Sequence, residues 1–127
     1  MKKIQKFLTL GFYLANFILI IFYIYPGSIF GCFFYNDCSI QPQITGDFII
    51  SSNHLYVFAI LSILGVLAYN NTQKIKFLTL YLFLLSITLE LLHFIIPNRE
   101  FELSDLFGNI IGVIFVIIIY KIKNKYV

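Results

Sequence analysis

Charge is the scarcest commodity in this sequence. Only 12% of its 127 residues are Asp, Glu, Lys or Arg, where a soluble domain carries about 25%. With 60% hydrophobic residues, including 15 Phe and 9 Tyr, too few polar groups remain to cover a water-facing surface. A soluble globular fold is thereby excluded. The chain reads as an integral membrane protein with room for one small helical domain over residues 1–127. Apolar–polar alternation is also missing; the apolar runs are continuous, which excludes barrel strands and leaves helices. No A-x-A-like site follows the basic start, and the first apolar stretch exceeds the roughly 7–15 residues of a signal peptide, so a retained anchor is expected. Ile29-Phe30-Gly31-Cys32 makes a poor lipoprotein cleavage box, because Phe30 fits badly and Cys32 lies far from the start. The two cysteines, Cys32 and Cys38, have no histidine near them, which excludes a zinc site there. Outside a bacterial membrane a Cys32–Cys38 disulfide is permitted; two free thiols are the alternative. Internal repeats and low-complexity tails are absent.

What is present is four apolar segments, at residues 7–25, 48–69, 77–96 and 106–120. At about 1.5 Å per residue the first three cover about 30 Å, the thickness of the hydrocarbon core. The fourth covers only about 22 Å, so its start is expected below the outer surface or in a locally thinned bilayer. The pattern predicts an all-α bundle of four transmembrane helices. All eight lysines lie on one side: Lys2, Lys3 and Lys6; Lys74 and Lys76; Lys121, Lys123 and Lys125. No acid accompanies them. The other side carries Asp37, Asp47, Glu100, Glu102 and Asp105, with Arg99 as its one fixed positive charge. Lysine excess marks the cytoplasm, so both termini are expected inside, in the bacterial cytoplasmic membrane. The net charge of +3 follows from that topology and does not imply a nucleic-acid partner.

Depth counting singles out one level. His54, Glu90, His93 and Asn109 all fall within about 10 Å of the outer boundary at helical rise, with Arg99, Glu100, Glu102 and Asp105 on the loop above. Interhelical hydrogen bonds contribute only about 0.6–2 kcal/mol, whereas an ionised glutamate near the membrane centre costs about 2.5 kcal/mol or more. Glue alone is therefore a poor reason for Glu90, and an outward-facing polar pocket is the better one. Asn16, midway along the first span, reads as glue. Gly108 and Gly112 form a G-x-x-x-G pair for close helix packing, and Ser104 or Asp105 is placed to cap the fourth helix.

Glu90-Leu-Leu-His93, Ile96-Pro97-Asn98-Arg99, Phe101, Asp105, Asn109 and Gly112 together resemble the core signature of the VanZ-like membrane protein family. That signature reads roughly E-x-x-Q, a proline shortly before an arginine, an aromatic two residues on, then D-x-x-x-N-x-x-G. His54-Leu-Tyr-Val-Phe58 resembles the family's histidine early in the second span. The likeness covers residues 48–120; the first span carries no motif. There are two departures: His93 stands where glutamine is usual, and Ile50-Ser51 where Asp-Lys often precedes the histidine. The resemblance implies a cell-envelope role, since the family's namesake is associated with low-level resistance to the glycopeptide teicoplanin.

Three functions follow. The first is a binding module whose pocket residues, His54, Glu90, His93, Arg99, Asp105 and Asn109, hold a lipid headgroup or a lipid-linked wall precursor. Arg99 would offer its fork to phosphate and Asp105 would steady Arg99. The second is a membrane-embedded hydrolase or transferase using Glu90 and His54, against which stands the lack of any serine in a nucleophile motif; no catalytic residue is assigned. The third is a small subunit without ligand, joining a homo-oligomer or a membrane partner through Gly108 and Gly112. Glu90, His93 and His54 also make a two-histidine-one-carboxylate set. It is set aside because the family resemblance implies glutamine at position 93, so neither metal nor cofactor is expected.

Overall fold

The computed structural model describes residues 2–127. It contains five α-helices: α1 at Lys2–Ile24, α2 at Ile29–Tyr35, α3 at Ser52–Ala68, α4 at Ile75–Leu91 and α5 at Leu103–Tyr126. A 3-10 turn, Leu92–Phe94, prolongs α4. No strand occurs among the described residues. Three elements are long and apolar enough to cross a membrane: α1, α4 with its turn, and α5. In these only 17–33% of the most apolar stretch is buried inside the protein. Phe7, Phe17, Phe77 and Phe115 lie exposed on their outer faces, a surface suited to lipid and not to water.

Two helices, α3 and α5, depart most from the hydropathy pattern. Once the turn is counted with α4, the shortest of the four long helices is α3, whose 17 residues span about 26 Å, and it begins at Ser52 instead of residue 48. The reason is local. Asp47 Oδ1 accepts the Ser52 N–H at 2.9 Å, and the Ser51 N–H leaves to donate to the Ser104 carbonyl at 3.1 Å. Phe48 and Ile49 are thereby held outside the helix and exposed. By contrast α5 runs 24 residues, from Leu103 through the lysines at its end, where positive charge suits the helix dipole. Neither Ser104 nor Asp105 caps it. Glu102 is the N-cap, without a side-chain capping bond, and Asp105 lies in the first turn.

The helices meet through missing side chains. α3 and α5 run parallel, and a Cβ on Gly112 would stand 2.6 Å from the Leu55 carbonyl oxygen and 3.0 Å from the Ala59 nitrogen. A Cβ on Gly108 would stand 2.7 Å from the Ser51 carbonyl oxygen. The Gly108/Gly112 face that the sequence leaves open to an oligomer is filled by α3 of the same chain. Gly65 makes room for Phe12 of α1 and Leu78 of α4. Farther along, Tyr81 donates to Asn16 at 2.7 Å, Tyr13 and Tyr69 share a 2.9 Å bond, and the Gln5 amide donates to the Ala68 carbonyl.

At the opposite end two loops fold over the helices. Ser28 Oγ caps α2 by accepting the Gly31 N–H at 2.9 Å, and the Ser28 N–H donates to the Cys38 carbonyl at 2.7 Å. Cys32 and Cys38 are joined as a disulfide. Gly27, at φ +99°, turns the chain tightly against Cys38. The connection between α4 and α5 is closed by Phe94 stacked on Phe101, ring centres 4.5 Å apart.

Candidate functional site

Every long helix delivers a polar group to this loop end. Tyr23 comes from α1, His54 from α3, Glu90 from α4, His93 from the 3-10 turn, and Asp105 and Asn109 from α5. Tyr23 is the hub. Its hydroxyl donates to Asn109 Oδ1 at 2.5 Å and lies 2.8 Å from His54 Nδ1. Its ring stacks on His93 and meets the His54 ring edge-on. The first span, which carries no motif, thus supplies the residue on which the cluster turns. Its signal was depth: Tyr23 lies near the loop end of its helix, at the level of His54 and Asn109.

The hydrogen bonds fix the direction of the network. Asn109 Nδ2 donates to the Ser86 carbonyl at 3.1 Å, so Oδ1 faces Tyr23 and His54. His54 Nδ1 lies 3.0 Å from that oxygen. An amide oxygen only accepts, so Nδ1 is the protonated ring nitrogen. In neutral His54 the lone pair then sits on Nε2, which faces Asp105 Oδ2 at 3.4 Å. Asp105 therefore answers His54, and not Arg99 as the sequence suggests.

Glu90 is fully buried. Its Oε1 accepts the Glu102 N–H at 3.2 Å and faces His93 Nδ1 at 3.2 Å. His93 Nε2 donates to the Tyr23 carbonyl at 3.1 Å, so the contact between Nδ1 and Oε1 needs one proton, carried by either group. The second oxygen, Oε2, has no hydrogen-bond partner and stands 3.8 Å from His54 Nδ1. A buried carboxylate oxygen left bare costs about 1–3 kcal/mol or more. Both nitrogens of His93 are engaged, so the two-histidine metal set is not formed. Instead, one ring nitrogen of His54 and one oxygen each of Glu90 and Asp105 lie within 4.8 Å of one another.

Arg99 turns back onto α1. Its Nη2 donates to the Phe22 carbonyl at 2.7 Å and its Nε to the Tyr25 carbonyl at 3.2 Å, satisfying carbonyls at a helix C-terminus where positive charge is favoured. Burial pulls the guanidinium below its ordinary value, with Tyr23, Glu90 and Asp105 pulling the other way; it stays a cation. Its Nη1 has no protein partner among the described residues.

Two cavities meet above this cluster. One, of about 810 Å³, is polar and carries Asp37, Asp47, Glu100, Glu102, Asp105, His54, His93 and Arg99 on its walls. The other, of about 380 Å³, is an apolar crevice walled by Leu19, Phe22, Ile29, Phe30, Phe34, Ile44 and Val57. Both are bordered by His54, His93 and Arg99. Gln41, Gln43 and Asn53 also border both; nothing in the sequence pattern marks these amides. Asn53 is held by the loop, donating to the Pro42 carbonyl and accepting the Ile44 N–H.

A family model described as VanZ/LLP1 matches residues 1–124, nearly the whole chain and including the helix without a motif. No curated protein and no solved structure gives a significant match.

Proposed function

The chain belongs to the VanZ/LLP1 family, and on that premise we propose that it is a binding module of the bacterial cell envelope. Its loop-end cavity takes the anionic headgroup of a membrane lipid or of a lipid-linked wall precursor. The observation that carries this reading is the junction of the two cavities at Arg99 and His54. A headgroup in the polar cavity would find the free Nη1 of Arg99, while an acyl or prenyl chain would lie along Phe22, Phe30 and Phe34. An arginine fork suits phosphate better than a lysine does. The lysines at the opposite end favour a cytoplasmic location for both termini, which turns the cavity outward, to the side where glycopeptides meet their lipid-linked targets. A link to teicoplanin-type resistance follows from that placement and from the family.

A hydrolase or transferase built on Glu90 and His54 has less support. The hydrogen-bond partners of His54 are Tyr23 and Asn109, and the Ser52 hydroxyl is spent on the Thr45 carbonyl and Asp47.

Native mass spectrometry of the protein extracted from its own membrane tests the binding reading. Wild type should retain one class of anionic lipid, and folded Arg99→Ala should lose most of it. Equal, non-selective adducts on both would overturn the proposal.

A further inference from the structure

The sequence reading leaves metal out, but the side chains converge on a different set from the one it considers. We infer that His54, Glu90 and Asp105 form a binding site for one divalent transition cation of the manganese or zinc kind.

One ring nitrogen of His54 and one oxygen each of Glu90 and Asp105 come within 4.8 Å of one another, and the hydrogen bonds say which atoms are free to ligate. His54 Nδ1 is committed as a donor towards Tyr23 and Asn109, which leaves Nε2 as the available nitrogen. Metal-ligating histidines characteristically donate their other N–H to an oxygen in this way. Glu90 spends Oε1 on His93 and the Glu102 N–H, which leaves Oε2 bare, buried and unpartnered. Asp105 presents Oδ2 to His54 Nε2 at 3.4 Å. Ligand atoms held at about 2.1 Å in a tetrahedral shell lie about 3.4 Å apart, so the histidine–aspartate edge already fits. Glu90 Oε2 stands 3.8 Å from the other ring nitrogen, Nδ1, so its carboxylate has to turn towards Nε2 to complete the shell.

When no proton or ion sits among them, two carboxylates and a nitrogen lone pair face one another, and a low dielectric magnifies their repulsion. A cation removes that repulsion and satisfies Oε2. Three protein ligands leave at least one coordination position, which opens on the polar cavity that His54 and Asp105 line. One imidazole with two carboxylates and no sulfur suits manganese or zinc better than calcium, which prefers an all-oxygen shell. The acids Glu100, Glu102 and Asp105 on the cavity wall would repel a phosphate, and an ion here would offset them, because its open position would accept a phosphate oxygen. That last consequence rests on the headgroup reading; the ion site itself does not.

The test uses Mn²⁺ alone, titrated into the lipid-stripped full chain in detergent and followed by the electron paramagnetic resonance of the free ion. One ion should bind per chain and be displaced by zinc, which outranks manganese at such ligands. Asp105→Asn and Glu90→Gln should each weaken binding about tenfold or more, while Glu100→Gln, an acid in the same cavity but outside the trio, should leave it unchanged. Asp105 is the less buried partner, so its variant keeps the test open if Glu90→Gln fails to fold. No saturable binding in wild type would overturn the site. An equal loss in Glu100→Gln and Asp105→Asn would also overturn it, in favour of diffuse attraction to an acidic cavity.

Discussion

The two ends of this molecule are held together by different means. From the middle of the helices to the lysine end, polar contacts are few: Tyr81 with Asn16, Tyr13 with Tyr69, Gln5 with the Ala68 carbonyl. Each joins two helices through neutral groups. At the loop end Tyr23, His54, Glu90, His93, Asp105 and Asn109 interlock, yet among the described residues Glu90 Oε2 has no partner and Arg99 Nη1 has none either. A scaffold needs the first arrangement and gains nothing from the surplus in the second. Ser62 Oγ in α3 is also buried without a partner among the described residues, but it is a neutral hydroxyl; spare capacity on ionisable groups is what separates a site from a clasp.

The comparison is broken most severely at Gly112. A leucine there meets the Leu55 carbonyl and the Ala59 nitrogen, backbone atoms that cannot swing aside, so Gly112→Leu should cost about 3 kcal/mol and disorder both ends. Gly65 faces the flexible side chains of Phe12 and Leu78, so Gly65→Ala should cost less. Thermal unfolding in detergent ranks the two.

A milder contrast sets Tyr23→Phe against Tyr81→Phe. Each removes one hydroxyl, and each should cost about 0.6–2 kcal/mol. Only Tyr23→Phe should also weaken lipid retention, because the His54 ring loses its anchor. Equal retention in both variants would mean that the cluster is merely a second clasp.

The smallest effect is expected outside the helices, at Asp37. Its carboxylate accepts the Ser39 hydroxyl at 2.6 Å and the Ser39 N–H at 2.9 Å, which holds it below its ordinary value of 3.8. A lowered value means that the stabilisation is present above 3.8 and is lost as pH falls through the folded value. The protection of the Cys38-loop amides against hydrogen exchange, corrected for intrinsic rates, should therefore fall in acid, and Ser39→Ala should bring that fall to higher pH without altering helix melting.

Hydropathy and charge made the apolar helices legible, because a bilayer tolerates few other ways of arranging such residues. Depth counting was informative for the same reason: rise per residue is fixed in a helix, so His54, Glu90 and Asn109 could be levelled without knowing which helices touch. What could not be read were choices made between loops. The Ser51 N–H goes to Ser104, the Ser52 N–H to Asp47 and the Glu102 N–H to Glu90, and these three bonds decide where α3 and α5 begin. Arg99 seemed destined for an acid because acids are its sequence neighbours, but the carbonyls ending α1 lie closer. Tyr23 passed unnoticed since tyrosine near a membrane boundary is ordinary.

Gly108 carries one more consequence. It sits where a Cβ would stand 3.1 Å from the His54 Cβ, one helical turn from nothing more exotic than Asp105. The separation between imidazole and carboxylate is therefore gauged by an atom that is not there. A methyl group at position 108 would act as a shim, widening the jaw between α3 and α5 while leaving every chemical group in place. The calibration of the His54–Asp105 pair resides in a residue with no chemistry of its own.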